Sequence, residues 1–177
     1  MKRDTQLVGA AGEHLVLSRL LNRQYLAAQA PPGAAKVDIL VNHLDDKPPR
    51  LIQVKTITGK NINNGWHMSE KHEKIMDLNI FYCFVALGDI ESDVYVIPSK
   101  IVATVVTDEM VKWLATPGAK GQQRNYTKMR RIQNQYKDKF DSAPDGWMEQ
   151  YLEKWELLGW RYEADFLYGD GVSYWEL

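Results

Sequence analysis

Four side chains that could act on a phosphate ester stand where the apolar pattern of the chain predicts a hydrophobic residue: Glu13, Asp38, Gln53 and Lys55. Carboxylate and amide oxygens are ligands that Mg²⁺ accepts, and this ion keeps several waters and binds substrate phosphates. A lysine beside such an ion can orient or deprotonate an attacking water and offset phosphate charge. The four residue types therefore predict metal-dependent cleavage of a phosphodiester bond.

Each residue has its own role in this hypothesis. Asp38 is the main metal ligand. The amide oxygen of Gln53 and the backbone carbonyl of Val54 complete the protein side of the site. Glu13 binds the metal directly or through a water, and Lys55 acts on the attacking water.

A predicted helix from Asp4 to about Ala28 carries Glu13. Asp4 is a good N-cap, and apolar residues follow it at helical spacing: Leu7, Ala10, Leu17, Leu20 and Leu21. Glu13 lies on this stripe, so its carboxylate needs a partner. It either faces the site or extends to water at the boundary of the core.

The other three residues lie on a predicted antiparallel hairpin of residues 36–42 and 51–57, joined by the polar turn 45–49. Asp38 interrupts the first strand, and Gln53 and Lys55 point to one face of the second because strand side chains alternate. If the helix packs on the hairpin, the four side chains meet in one pocket. Two alternatives stay open: Asp38 could cap a turn, and Gln53 with Lys55 could form a solvent face.

The remaining elements predict one mixed sheet with helices around it. The expected strands are residues 66–68, 80–87 and 93–97, and the expected helices or helical turns are residues 69–78, 99–106 and 108–114. Loop 116–121 leads through a polar, basic stretch to a helix that begins near residue 144 and carries Trp147, Tyr151, Trp155 and Leu158. This order predicts an α/β or α+β fold, with a central mixed β-sheet flanked by helices and an extra C-terminal helical segment. We expect residues 1–106 to form the core domain and residues 107–177 an extension packed on it.

The order of these motifs resembles the PD-(D/E)XK nuclease superfamily, whose restriction-endonuclease-like core contains a helix, three strands, a helix and a strand. The resemblance covers residues 7–97 and rests on Gly12-Glu13, Val37-Asp38 and Gln53-Val54-Lys55. It looks closest to the Q-x-K branch, seen among Mrr-like restriction proteins, Holliday-junction-resolvase-like proteins and uncharacterised bacterial relatives. The family implies metal ligands at Asp38 and Gln53, the catalytic lysine at Lys55 and an accessory metal role for Glu13.

Two positions depart from the family pattern. Val37 stands where the family has proline, and Gln53 stands where the last motif usually has an acid. A neutral amide removes one negative charge from the site and should weaken Mg²⁺ binding. The resemblance therefore implies either a DNA endonuclease dependent on Mg²⁺ or Mn²⁺, or a catalytically inactive DNA-binding or protein-interaction module with the same fold.

The charges of the chain are separated along the sequence although they nearly cancel in total. The 177 residues include 22 Lys and Arg and 23 Asp and Glu, for a net charge of −1. Residues 112–139 contain eight basic residues and one acid, whereas residues 141–177 contain nine acids and two basic residues. The basic stretch predicts contact with the DNA backbone through Lys112, Lys120, Arg124, Lys128, Arg130 and Arg131. The alternative is that it pairs with the acidic tail, within one chain or between two.

The aromatic stripe of the tail is more typical of a core or a dimer interface than of a base-stacking platform. An assembly subunit built on this stripe is therefore a further hypothesis. A homodimer is expected in any case of an enzyme with one site that cuts both strands of a duplex.

Several other classes are disfavoured. Cys83 is the single cysteine, so an internal disulfide is excluded and we expect a buried thiol. His67 and His72 lack the spacing of a zinc pair, and the chain has no phosphate-loop motif. It also lacks signal-peptide features and any apolar run of about 20 residues that would span a bilayer, so we predict a cytoplasmic protein.

Overall fold

The computed structural model describes residues 4–31, 33–34, 37–42, 48–58, 64–137 and 140–159. The predicted turn 45–49 is described only at its last two residues, and the tail beyond residue 159 lies outside this part. The α-helices and strands in chain order are α1 Thr5–Asn22, β1 Leu26–Gln29, β2 Ile39–Asn42, β3 Arg50–Thr58, β4 Trp66–Ser69, β5 Ile80–Leu87, β6 Asp93–Pro98, α2 Ser99–Ala115 and β7 Met129–Ile132. A short 3-10 segment, Glu70–Lys74, lies between β4 and β5, and two more, Glu149–Tyr151 and Trp155–Leu158, come after β7.

The strands form a central mixed sheet and a separate pair. The central sheet has the order β1-β2-β3-β5-β6, in which β3 and β5 are parallel and the other neighbours antiparallel. Strands β4 and β7 form a two-stranded antiparallel sheet. The fold is thus a mixed α+β fold with a central mixed sheet flanked by helices, which confirms the predicted class. The expected strand at 66–68 exists, but it pairs with β7 in a separate sheet, so the prediction of one mixed sheet is wrong for this strand.

The central sheet separates two hydrophobic clusters. The helix-2 face, which packs against α2 and the β4–β7 pair, carries Tyr82 and Phe84 of β5. The helix-1 face, which packs against α1, carries Phe81, Cys83 and Val85 of the same strand. Strand β5 is buried along almost its whole length, as its continuous apolar sequence predicts for a central strand.

The first helix is shorter than predicted. The side chain of Asp4 accepts a hydrogen bond from the Gln6 amide at 2.8 Å, so the expected N-cap is correct. The helix ends at Asn22 rather than Ala28, because Gln24 turns the backbone with a φ of 65° and Leu26 then pairs with Asn42 of β2. Sheet pairing overrides the helical propensity of the segment Leu26-Ala27-Ala28.

The buried stripe of α1 also differs from the predicted one. It consists of Gly12, Val16 and Leu20, whereas Leu7 and Leu21 are exposed. Leu20 and the partly buried Leu17 agree with the predicted stripe, whereas Gly12 and Val16 of the buried face were missed.

The second helix is continuous where the sequence predicted a short helical turn and a separate helix. It extends from Ser99 to Ala115 and crosses residue 106, the predicted end of the core domain. The helix expected at 69–78 is reduced to the 3-10 segment Glu70–Lys74. No helix in the described ranges is long and apolar enough to cross a membrane.

The C-terminal segment is not the predicted α-helix. It consists of turns and two 3-10 segments, and Glu153 has a φ of 53°, which a continuing helix does not allow. The segment passes along the free edge of β6, where Leu152 bridges to Tyr95 and the Glu153 amide donates to the Val94 carbonyl at 2.8 Å. The aromatic stripe is core, as expected: Trp147 and Tyr151 join the helix-2 cluster, and Trp155 and Leu158 join the helix-1 cluster.

Candidate active site

Asp38 is tied to the neighbouring strand by two hydrogen bonds. Its backbone amide donates to the Ile52 carbonyl at 2.8 Å, and its carboxylate Oδ2 accepts from the Val54 amide at 2.7 Å. The carboxylate therefore reaches across to β3 rather than capping a turn of its own segment. A carboxylate has two oxygens and about four lone-pair positions, so this bond leaves it capacity to bind a cation.

Gln53 is buried, with only 6% of its surface exposed, on the helix-2 face of the sheet. The interpretation of Gln53 and Lys55 as a solvent face is therefore wrong for Gln53. Its side-chain oxygen Oε1 is inaccessible to solvent and has no hydrogen-bond partner among the described residues. A buried acceptor without a partner costs about 1–3 kcal/mol, so such an atom is suited to accept from a bound water or to bind a cation.

Val54 contributes through its backbone. Its side chain is buried on the helix-1 face, away from Gln53, because neighbouring strand residues alternate. Its amide is committed to Asp38. A metal role for Val54 would therefore fall to its carbonyl oxygen, as the sequence predicted.

Lys55 is half-buried two residues after Gln53, on the same face of β3. Burial lowers the pKa of Lys55, and Lys71 lowers it further, whereas the carboxylates of Asp38 and Glu13 raise it. The net effect is a lowered pKa, so Lys55 loses its proton more easily than a free lysine does. This property suits a group that accepts a proton from water.

Glu13 approaches this group from α1. Burial raises the pKa of Glu13, the charge of Asp38 raises it further, and His14 and Lys55 lower it. Glu13 is therefore within electrostatic range of Asp38 and Lys55, although its helix packs on the opposite face of the sheet from Gln53. The structure brings Glu13, Asp38 and Lys55 into one electrostatic group, with Gln53 as their neighbour on β3.

A glycine sets the approach of α1. A Cβ atom placed on Gly12 would lie 1.9 Å from Oγ1 of Thr56 on β3, so only glycine allows this contact between helix and sheet. The contact holds the part of α1 that carries Glu13 against β3. The sequence showed Gly12 beside Glu13 but gave no signal of the Thr56 partner.

One further pair near the site was missed by sequence reasoning. His72 is buried, and its Nδ1 lies 2.7 Å from the hydroxyl of Tyr82, which is the register partner of Gln53 on β5. Burial, with the charges of Lys55 and Lys71, lowers the pKa of His72 to about 4, so the ring is neutral at pH 7. The His72 sequence context gave no signal of this contact, because it depends on β5.

The donors in this group suit a hard cation held by few protein ligands. No cluster of three His, Cys, Asp or Glu side chains that could hold a metal occurs in the described part of the chain. The available set is two carboxylates, one amide oxygen and one carbonyl, which is the oxygen chemistry that Mg²⁺ accepts together with waters. The buried Oε1 of Gln53, for which the described residues offer no hydrogen-bond partner, fits such an occupant.

The six cations predicted to contact DNA differ in their environments. Lys120 is exposed, Lys112 lies over the ring of Phe140, and Arg124 stacks on Trp113 with 5.0 Å between the guanidinium carbon and the ring centroid. The side chain of Lys128 is 84% exposed and lies 3.7 Å from Glu70. Arg131 is half-buried on β7.

Arg130 is held inside the protein. Its side chain is fully buried, pairs with Glu73 and donates to the Tyr126 hydroxyl at 2.9 Å and to the Met129 carbonyl at 2.8 Å. This guanidinium stabilises the attachment of β7 and does not present a cation to solvent. The prediction treated Arg130 and Arg131 alike, although neighbouring strand residues point to opposite faces.

The ion pairs bear on the alternative that the basic stretch pairs with the acidic tail. Lys128 and Arg130 pair with Glu70 and Glu73, which lie before the basic stretch in sequence. The tail residue Glu153 pairs with Arg19 and Arg23 of α1. Among the described residues, these pairs connect both segments to the core.

The remaining candidates keep the roles expected of them. Cys83 is fully buried, and burial raises the pKa of its thiol. His67 is exposed on β4, so it does not share the buried environment of His72.

Comparison with known proteins supplies one structural likeness. A solved structure of a bacterial homing endonuclease, I-Ssp6803I, matches with a TM-score of 0.50 and 16% sequence identity, over 94% of this chain and 99% of that chain. The chain is thus similar in fold to that endonuclease. No family model matches the sequence, and no curated protein matches it. At this identity the likeness concerns the fold alone.

Proposed function

We propose that this protein is a Mg²⁺-dependent DNA endonuclease of the PD-(D/E)XK type. The observation that carries the proposal is the buried Oε1 of Gln53, without a partner in the described residues, on the strand to which the Asp38 carboxylate is bonded. The likeness to a homing endonuclease supports a DNA substrate. A cytoplasmic location and a homodimer that cuts both strands belong to the same proposal.

The protein groups divide into metal ligands and a proton acceptor. Asp38, the Gln53 amide oxygen and the Val54 carbonyl would hold the cation, with Glu13 contributing directly or through a water. When bound, Mg²⁺ would neutralise charge on the scissile phosphate and lower the pKa of a coordinated water. Asp38 and Glu13 both interact electrostatically with Lys55, so the proposed ligands and the proton acceptor belong to one site.

Lys55 accepts the proton of the attacking water in this proposal. The water oxygen forms a bond to phosphorus, the bond from phosphorus to the leaving oxygen breaks, and the water proton passes to Nζ of Lys55. The leaving oxygen takes a proton from solvent. Burial assists the first transfer because it lowers the pKa of Lys55.

Plasmid cleavage tests the assignment. The full chain is incubated with supercoiled DNA and Mg²⁺ or Mn²⁺, beside Asp38→Ala, Lys55→Ala and the control Lys154→Ala, a surface lysine that pairs with Glu156 at 3.2 Å. We expect nicking or linearisation by the wild type and the control, and loss of about 100-fold or more in both site variants. Activity that survives both site substitutions would contradict the proposed site.

A second candidate function has its own support. Gln53 replaces an acid, so the site holds one negative charge fewer than the family pattern, and the same fold could act as an inactive DNA-binding or protein-interaction module. This function predicts salt-sensitive DNA binding without cleavage, and no Mn²⁺ at Asp38 in a soaked crystal. The assembly-subunit hypothesis loses its proposed surface, because Trp155 is 3% exposed and packs in the helix-1 cluster.

A further inference from the structure

The β4–β7 pair, called the ribbon below, has two unlike faces. Its inner face is buried against α2 and the central sheet and carries Trp66, Met68, Arg130 and Ile132. Trp66 Nε1 donates to the Val85 carbonyl at 3.0 Å, which anchors the ribbon to β5. The ribbon is therefore a fixed platform rather than a free hairpin.

The outer face carries side chains that can contact nucleic-acid bases. His67 lies directly opposite Arg131, and Ser69 lies opposite Met129. His67 and Met129 are exposed, and Arg131 and Ser69 are partly exposed. Opposite residues on an antiparallel pair have their Cβ atoms about 5 Å apart, so the imidazole and the guanidinium form one group of donors.

The surroundings of this face add positive charge. Arg124 and Arg131 both lower the pKa of Glu109, so the two guanidinium groups lie near the same acid. Lys128 immediately precedes β7 and is largely exposed. Among the described residues, Glu109 and Glu70 are the acids that interact with these cations.

Both acids are already engaged by protein groups. Glu70 pairs with Lys128 and accepts from the Tyr126 hydroxyl at 2.8 Å. Burial raises the pKa of Glu109, and three arginines surround it electrostatically: Arg130, Arg131 and Arg124. In the described part of this region three cations, Arg124, Lys128 and Arg131, accompany two acids, so the face is complementary to a polyanion.

The ribbon leads directly into the candidate site. Strand β4 continues into Glu70–Lys74, and Lys71 of that segment lowers the pKa of both Lys55 and His72. Lys71 therefore connects the end of the ribbon electrostatically with Lys55.

We propose that the outer face of the ribbon enters the major groove of double-stranded DNA, with Arg131 and His67 contacting base edges and Lys128 and Arg124 contacting phosphates. The major groove is about 12 Å wide and admits a two-stranded ribbon. Arginine forms two hydrogen bonds with the O6 and N7 acceptors of guanine, and the exposed Met129 offers an apolar contact to a thymine methyl. The placement of the cut beside the ribbon rests on the proposed endonuclease function, whereas the groove contact itself does not.

The test separates base contact from charge. The full chain selects sequences from a randomised duplex pool in Ca²⁺, and affinity is then measured by fluorescence anisotropy for the selected duplex and for a random-sequence duplex. We expect Arg131→Ala to weaken binding of the selected duplex between about 5-fold and 150-fold. Its effect on the random duplex should match that of Lys154→Ala, which removes one charge elsewhere.

Two further measurements locate the contact. Replacing guanine by 7-deazaguanine removes the N7 acceptor from the major groove, so the wild type should lose affinity for the selected duplex and Arg131→Ala should not. His67→Ala is a second variant of the proposed contact. It changes an exposed side chain, so we expect it to fold as the wild type does. The inference is overturned if no sequence is enriched, or if both variants bind the two duplexes as Lys154→Ala does.

Plasmid cleavage in Mn²⁺ distinguishes this inference from the proposed function. Wild-type cleavage with no role for Arg131 and His67 in sequence preference would contradict the ribbon contact and leave the endonuclease proposal intact. Sequence-dependent binding that requires Arg131, without cleavage in Mg²⁺ or Mn²⁺, would support the ribbon contact and contradict the endonuclease proposal.

Discussion

The carboxylate of Asp38 accepts a hydrogen bond from the Val54 amide at 2.7 Å, which joins a residue just before β2 to the middle of β3 by a side chain. The bond holds the acid beside Gln53 and Lys55, the two polar residues that flank Val54. One contact thus determines both the local strand arrangement and the position of the main candidate ligand.

Asp38→Asn and Asp38→Ala should separate these two effects. Asparagine keeps an oxygen that can accept from Val54, whereas alanine leaves that amide without its partner, at a cost of about 1–3 kcal/mol in unfolding free energy. Both variants lose the charge that would attract a divalent cation. Urea unfolding with and without Mn²⁺ measures the two effects, and stabilisation of either variant by Mn²⁺ equal to that of the wild type would contradict the ligand role.

Gln53→Glu should strengthen metal binding and Gln53→Leu should abolish it at this position. Glutamate restores the negative charge that the family pattern has there, so Mg²⁺ should raise its thermal midpoint more than it raises that of the wild type. Leucine removes the buried acceptor without a partner, so it should stabilise the metal-free protein by about 1–3 kcal/mol. A leucine variant that is less stable than the wild type without metal would indicate that the amide has a partner in the folded protein.

Gly12→Ala and Gly9→Ala form a matched pair on α1. A Cβ on Gly12 meets Thr56, whereas a Cβ on Gly9 has no atom within 4 Å. We expect Gly12→Ala to destabilise the protein by about 1–3 kcal/mol through overpacking. Gly9→Ala should stabilise it by up to about 1 kcal/mol through helix propensity. Denaturant midpoints of the two variants check the result, and equal shifts would mean that α1 does not approach β3 at Gly12.

Cleavage should increase with pH as Lys55 loses its proton. Burial lowers the pKa of Lys55 below its ordinary value of 10.5, so the rising limb of the rate profile should have its midpoint below that pH. Lys55→Arg keeps the charge but cannot give up its proton, so its residual rate should lack this limb. A rising limb retained by the arginine variant would assign the titration to another group.

Stability should fall on acidification through His72. The folded pKa of about 4 lies below the ordinary value of 6.5, so the unfolded chain takes up a proton first. The contribution of this residue is therefore complete above pH 6.5 and is lost as the pH falls from 6.5 toward 4. His72→Asn should show a smaller loss than the wild type over this range, and the exposed His67→Asn should follow the wild type, as urea midpoints at each pH would show.

The sequence predicted the positions of the strands better than it predicted which segments pair with each other. Alternation, apolar runs and turn residues located β2, β3, β5 and β6, because strands with buried faces carry these signals in their own sequence. The same local signal predicted a helix at Leu26, because that residue is in a strand only through its pairing with β2. It also predicted a helix in the aromatic tail. The aromatic residues there have helical spacing by coincidence, because they pack on two different sides of the sheet.

The candidate site shows the same limit. Asp38, Gln53 and Lys55 were recognisable because each is a polar residue in an apolar strand. His72 and Thr56 were not recognisable, because their importance depends on partners distant in sequence, Tyr82 and Gly12. Arg130 and Arg131 look equivalent in composition, and only the pairing of β7 with β4 distinguishes the buried one from the outward one.

The C-terminal segment links the two hydrophobic clusters across the edge of β6. Trp147 on one side and Trp155 on the other are separated by the backbone bond from Glu153 to Val94. Opening either cluster at these tryptophans strains the same seven-residue connection, so neither layer can loosen without disturbing the other. The two halves of the molecule should therefore exchange their protected amide hydrogens in a single cooperative event rather than in succession.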